Sequence, residues 1–297
     1  MSSDADDAMT AEFGTVAEWT AEVASRLGPD HAIPAACRGS GKPAALDWLL
    51  AGLNLMPGAR LVDVGAGLGG PAAYAVVSKR VRPLLLEPEQ AACHAAASLF
   101  GGPVIQADAT ALPLADGRAD AAWSLGVLCT LPSRVDQLTA LRELRRVVRP
   151  GGRIALLVYV AAREPLDEPP DGNRFPTDDD LCSLFHGAGL ALIGAADAGR
   201  MSAPSDGWRE RADAVDRELH RRFGRTAQLR TSDEQGERIG QLLESGQLDC
   251  QALVLHSNRS ADGGAGQRCG YSAAFGLTEL SASSSSAGKV SGYLASK

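Results

Sequence analysis

The sequence predicts an α/β fold built on an open, doubly wound sheet of parallel strands, and three observations predict it. Short apolar runs of strand length alternate with helical stretches from Arg60 to Val160. The first run, Arg60 to Val64, empties directly into a glycine-rich loop. The next two runs, Pro83 to Leu86 and Pro103 to Gln106, lead to the acids Glu87 and Asp108. Alternation of this kind closes through right-handed crossovers between parallel strands. Ligands on such sheets bind outside the carboxyl ends of the strands, which is where the glycines and both acids fall.

In chain order, Glu12 to Arg26 carries Phe13, Val16, Trp19, Val23 and Leu27 at spacings of three and four, an amphipathic helix stopped by Gly28-Pro29. Cys37 to Gly41 is a loop. From Pro43 a second helix places Leu46, Leu49, Leu50 and Leu53 on one side and ends before Pro57-Gly58. After the first three strands, with an alanine-rich helix from Pro88 to Leu99, come a fourth strand (Ala119 to Ser124) and a helix (Arg134 to Val148). The turn Arg149-Pro150-Gly151-Gly152 then leads into a fifth strand, Arg153 to Val160. Asp178 to Asp180 follow Thr177, where negative charge favours a helix start, and that helix runs to Gly187. Ala191 to Ala196 and Gln251 to His256 are the sixth and seventh strand candidates. Between them, Trp208 to Phe223 and Glu234 to Leu243 are helical and interrupt the sheet pattern. Asp116-Gly117 and Asp120 have the composition of turn residues.

These elements suggest three portions: an N-terminal helical lid (1–42), a central domain (43–259) with a helical insertion at about 200–248, and a tail (260–297) without a packed fold. From Ser257 to Lys297, 10 of 41 residues are serine and 7 are glycine, too polar to bury a core. With 297 residues, 45% apolar and 22% charged, the whole has the composition of a globular protein. A net charge of −7 argues against a surface built to neutralise phosphates, so no nucleic-acid partner is expected. No apolar run approaches the ~18 residues of a membrane span, and the acidic start, Met1 to Asp7, lacks the basic region of a secretory signal. The six cysteines form no C-x-x-C pair, which removes the usual zinc and dithiol signatures and fits a reducing cytoplasm.

Leu61 to Pro71 is the informative stretch. A strand that turns through Gly65, Gly67, Gly69 and Gly70 into a helix lets a ligand approach the backbone and meet free N–H groups. Gly65, Gly67 and Gly70 also satisfy G-x-G-x-x-G, and Glu87 lies 24 residues after Asp63, so the glycines alone leave a dinucleotide site open. Other residues separate the readings. Asp63 stands inside the strand end, where a carboxylate can face an ammonium group. Asp108-Ala109 can accept a hydrogen bond from an adenine amino group. Lys42 follows Gly39-Ser40-Gly41 without the spacing of a P-loop.

With the Pro-Gly-Gly turn, these residues resemble the class I S-adenosylmethionine-dependent methyltransferases, in the small-molecule group that includes the ubiquinone, tocopherol and sterol enzymes. The resemblance runs from Arg60 to Val160 and more weakly to Arg259. It implies a Rossmann-like seven-stranded sheet with an antiparallel last strand, which Gln251 to His256 would supply. It implies that Asp63, Gly65, Ala66, Gly67 and Gly69 form the cofactor loop. Glu87 and Pro88 would meet the ribose, Asp108 and Ala109 the adenine, and Leu125, Gly126 and Val127 the methionine part. The implied activity is methyl transfer to a small-molecule acceptor of secondary metabolism, with no metal. A nicotinamide-dependent oxidoreductase and a non-catalytic cofactor-binding protein are the alternatives.

An oxygen acceptor would need a base, and histidine is the commonest. His31 in the lid and His220 in the insertion are the candidates, since those segments would roof an acceptor pocket. Relatives carry a histidine near Thr130, and this chain does not. Trp19, Cys129, Met201 and Trp208 are candidate lining residues for an apolar acceptor, and Arg38 a candidate partner for the cofactor carboxylate.

Overall fold

The computed structural model describes residues 10–37 and 39–257. A π-helical segment, Thr10–Val16, runs into α1 (Ala17–Leu27), and a tight turn at Pro29–His31 leads to the short α2 (Ala32–Ala36). Then follow α3 (Pro43–Leu53), β1 (Arg60–Val64), α4 (Gly70–Lys79), β2 (Arg82–Glu87), α5 (Gln90–Phe100), β3 (Val104–Gln106) and β4 (Ala119–Leu125). The second half comprises α6 (Arg134–Val147), β5 (Val148–Ala161), α7 (Asp178–Ala188), β6 (Leu190–Asp197), α8 (Asp206–Phe223), α9 (Ala227–Glu244) and β7 (Leu248–Ser257). The seven strands form one sheet in the order β3-β2-β1-β4-β5-β7-β6. β1 to β5 pair in parallel, and β7 inserts antiparallel between β5 and β6. The seven-stranded sheet with an antiparallel last strand is therefore present.

Strands buried on both faces must be apolar throughout, and alternate residues go to opposite layers. On one face Val62, Val64, Ala122, Ile154 and Leu156 pack against Leu141 and Leu144 of α6 and Leu181 and Phe185 of α7. On the other, Leu61, Ala121, Trp123, Ala155 and Leu157 pack against Leu46, Leu49 and Leu50 of α3. Asp63 follows the second set by parity. It is level with Trp123 in the β1–β4 register, a carboxylate set into an apolar layer.

The polar elements differ from expectation in extent. α8 begins at Asp206 because the Ser205 hydroxyl accepts from the Trp208 N–H, and α9 begins at Ala227 because Thr226 does the same for Leu229. α7 is opened by a reciprocal pair in which Thr177 accepts from the Asp180 N–H while the Asp180 carboxylate accepts from the Thr177 N–H. The turn Arg149–Gly152 does not precede β5 but bulges out of it: the register passes from Ala119 opposite Val148 to Ala121 opposite Arg153. Asp120 is accordingly a β4 residue and not a turn residue. Its carboxylate accepts from the backbone and guanidinium of Arg60 and from Arg149, which hold its pKa down at about 2.

The N-terminal helices and the insertion meet over the carboxyl edge of the sheet. Val23, Ala24 and Ala35 pack with Val215 and Leu219 of α8, and Trp19 stacks on Phe223 with ring centres 4.2 Å apart. The proposed tail, 260–297, lies outside the described residues.

Candidate functional site

The site begins where β1 ends. Gly67 has φ +52, and a Cβ there would meet nothing within 4 Å, so the glycine faces open space. Gly70 has the opposite reason to be glycine. A Cβ on it would lie 2.4 Å from the carbonyl carbon of Ala36, because α4 starts directly against the end of α2. Gly65 lies under Val127 and Gly69 under Leu85, with no room for a side chain at either.

Three acids surround this loop. Glu87, at the end of β2, is buried. One carboxylate oxygen accepts from the Gly67 N–H at 2.8 Å and the other from the Glu89 N–H at 3.1 Å. Burial pushes its pKa up, and those two bonds hold it partly back. Asp108, after β3, is exposed and shapes its own turn. Its Oδ1 accepts from the Thr110 N–H at 2.7 Å and the Thr110 hydroxyl at 2.5 Å, while its other oxygen makes no hydrogen bond among the described residues.

Asp63 is the least satisfied. It is 2% exposed, and its Oδ2 has no hydrogen-bond partner among the described residues. Burial raises its pKa to about 7. The indole N–H of Trp123 opposes that rise, approaching without reaching hydrogen-bond geometry, and the Glu87 charge adds to it. A buried carboxylate with an open oxygen calls for a cationic partner.

The loop, Glu87 and Asp108 border a cavity of about 240 Å³, and Asp63 is buried at the end of β1 without lining it. Gly65, Gly67, Glu87, Pro88, Asp108, Ala109, Leu125, Gly126, Val127 and Cys129 lie in its wall. Ala66 and Gly69 stand behind them, in contact with α4 and α5 rather than with the cavity. Above the loop the wall is made by Phe13, Val16, Ala17 and Thr20 of the N-terminal helices and by Ser232, Gln235 and Ile239 of α9. Thr130, Leu131, Tyr159, Pro170 and Asn173 also line it. One end is thus acidic with open backbone, and the other apolar and neutral.

Residues 62–156 match the family model of a methyltransferase domain. Over these residues the chain is similar to methyltransferase domains. A malonyl-[acyl-carrier protein] O-methyltransferase of Enterobacter lignolyticus is 32% identical over 158 residues, 48% of this chain and 58% of that protein. A 27-O-demethylrifamycin SV methyltransferase of Amycolatopsis mediterranei is 29% identical over 184 residues, 56% of this chain and 66% of that protein. The chain spans less than two thirds of the length of these curated relatives. Among solved structures, an S-adenosylmethionine-dependent methyltransferase of Geobacter sulfurreducens in complex with S-adenosylhomocysteine shares the fold. It has a TM-score of 0.52 and 18% identity, covering 74% of this chain and 92% of that one. The nicotinamide alternative is not favoured.

Several residues expected at the site stand elsewhere. His31 follows the end of α1, which lies roughly 10 Å along the helix from Thr20 at 1.5 Å per residue, and it does not line the cavity. His220 is fixed on the surface of α8. Its Nδ1 donates to the Asp216 carbonyl at 2.9 Å, and its Nε2 lies 3.0 Å from the Asp233 carboxylate, which together raise its pKa. Trp19 is taken up by its stack on Phe223, and Met201 by the layer of Trp48 and Trp208, with its carbonyl accepting from Lys42 Nζ at 2.5 Å. Trp208 lines an adjoining cleft with Lys42 and Leu219, which shares Thr20, Ala35, Gly39 and Tyr159 with the cavity but does not bring Trp208 into its wall. Arg38 lies outside the described residues.

Sequence reasoning missed the upper wall. Phe13 and Val16 were visible as helical apolar positions, but nothing indicated that this face looks onto a cavity. Ser232, Gln235 and Ile239 follow helical spacing without an apolar stripe to reveal it.

Proposed function

We propose that this chain transfers a methyl group from S-adenosylmethionine to a small-molecule acceptor in secondary metabolism. The observation that carries the reading is the convergence of Glu87 and Asp108, from the ends of two adjacent strands, on a loop left open at Gly67, with the buried Asp63 at the end of the neighbouring β1. The residues fit the cofactor. The open Oδ2 of Asp63 suits its ammonium group, the remaining lone pairs of Glu87 suit ribose hydroxyls, and the unused oxygen of Asp108 suits an adenine amino group. The relative named for a demethylrifamycin substrate supports a secondary-metabolic acceptor.

When bound, the cofactor supplies a methyl group made electrophilic by its sulfonium. The protein's part is alignment and exclusion of water. Ser124 donates to the Val64 carbonyl at 3.0 Å and locks the ends of β1 and β4 together. Gly126 donates to the Leu157 carbonyl, and a Cβ on Gly126 would lie 3.0 Å from the Gly39 carbonyl, so the lid loop closes directly onto the end of β4. Gln137 Nε2 donates to the Leu128 and Arg174 carbonyls, both at 3.0 Å, fixing the wall around Cys129.

Isothermal titration tests the reading. S-adenosylhomocysteine is expected to give saturable, one-to-one heat, and NADH none. Binding of NADH alone, or of neither by folded protein, contradicts it.

A further inference from the structure

The upper half of the cavity carries an unsatisfied group that the cofactor has no need of. Of the hydroxyl, thiol and amide side chains around it, Thr20 donates to the Val16 carbonyl at 2.7 Å, Thr130 to the Val127 carbonyl at 2.8 Å, and Cys129 to the Gly126 carbonyl at 3.4 Å. Gln235 accepts from the Asp171 N–H at 2.8 Å and donates to the Asp171 carboxylate at 3.1 Å. That pins the loop bearing Pro170 and Asn173 to α9. Ser232 is different. It lies in the cavity wall one turn before Gln235, it is fully buried, and its hydroxyl has no hydrogen-bond partner among the described residues.

A serine inside a helix ordinarily returns its hydroxyl to the carbonyl four residues back, and a buried hydroxyl left unpaired costs free energy. The charges in the wall sit at the other end, on Glu87, Glu89 and Asp108, and all are acidic. Besides these acids the wall holds no charged side chain among the described residues: Phe13, Val16, Leu131, Tyr159 and Ile239 make it largely apolar, with Thr20, Thr130, Asn173 and Gln235 as neutral polar members. An anion entering here would lose hydration and meet acids of its own sign.

We propose that the Ser232 hydroxyl recognises the acceptor, and that the acceptor is a neutral, largely apolar molecule presenting a hydroxyl or carbonyl oxygen to it. This rests on the methyltransferase reading and narrows its substrate class. Methyl transfer itself involves no bond to Ser232, so the residue sets acceptor affinity and orientation.

The test uses the full chain saturated with S-adenosylhomocysteine at pH 7 and three probes of one shape: 2-naphthol, 2-methylnaphthalene and 2-naphthoate. 2-Naphthol is expected to bind about 3–10-fold more tightly than 2-methylnaphthalene, the worth of one hydrogen bond, and 2-naphthoate at least about tenfold more weakly than 2-naphthol. Ser232→Ala should bring the first ratio to about one, leave S-adenosylhomocysteine affinity unchanged, and hold Tm at or above that of the parent. A ratio unchanged in Ser232→Ala overturns the proposal. So does tighter binding of 2-naphthoate, absence of 2-naphthol binding to loaded protein, or a clear fall in Tm, which would show the hydroxyl already bonded within the fold. Failure of S-adenosylhomocysteine itself to bind overturns the underlying reading instead, so the two failures are distinct.

Discussion

Asp63→Asn is expected to weaken S-adenosylhomocysteine binding by about 100-fold or more while making the ligand-free protein more stable at neutral pH. The two signs follow from one observation, the open Oδ2 of a carboxylate buried beside Trp123. In the unfolded chain this acid titrates near 4, and in the fold near 7. A group whose folded pKa is raised disfavours its charged form in the fold, so the ligand-free protein loses stability as pH rises from about 4 to about 7. Asparagine removes that slope. Three units at about 1.4 kcal/mol each set an upper bound of roughly 4 kcal/mol on the gain.

Binding behaves in the opposite sense. An ammonium group needs the charged carboxylate, so affinity in the parent should climb as pH passes upward through about 7 and be flat in Asp63→Asn. Losing the partner of a buried charge costs about 3–5 kcal/mol, a hundredfold or more. Thermal melts and titrations between pH 5.5 and 8 measure both. An Asp63→Asn protein that is less stable and binds normally would show the carboxylate to be structural.

Gly67→Val and Gly70→Val should fail in different ways although they share one loop. Valine at Gly67 meets open space, and the cost to the fold is the left-handed backbone at φ +52, about 1–2 kcal/mol. Its side chain fills the place the cofactor must occupy, so binding should fall at least about 100-fold with the fold kept. Valine at Gly70 drives a Cβ to 2.4 Å from the backbone of Ala36, which cannot swing aside as a side chain would. That overpacking should lower stability by about 1–3 kcal/mol or more and detach α2 from α4. Denaturant melts paired with titration separate the two outcomes. Normal binding by Gly67→Val would contradict the cradle.

The loop-and-acid half of the candidate site was legible because Asp63 and Glu87 sit at strand ends, where the sequence marks both the strand and its stop. Leu61 to Val64 and Pro83 to Leu86 are unmistakably buried runs, and Asp63 and Glu87 are conspicuous as acids at their ends. The acceptor half was not legible. α9 is 18 residues long, but its cavity face carries Ser232 and Gln235 among other polar residues, so hydrophobic periodicity located only part of it. His220 lies in the insertion, but its side chain does not reach the cavity. A position in an insertion does not fix which way the side chain turns, and here Asp216 and Asp233 hold it outward. The Arg149–Gly152 turn was recognised as a turn, but its accommodation as a bulge depends on Asp120 and Arg60 across the sheet, which no local pattern records.

The most direct test is a crystal structure of the full chain with S-adenosylhomocysteine. The ligand should lie over Gly67, with its ammonium at Asp63 Oδ2, its ribose on Glu87, its adenine at Asp108-Ala109, and its sulfur facing the chamber beneath Ser232. A ligand bound elsewhere, or one that leaves Asp63 without a cationic partner, would contradict the account.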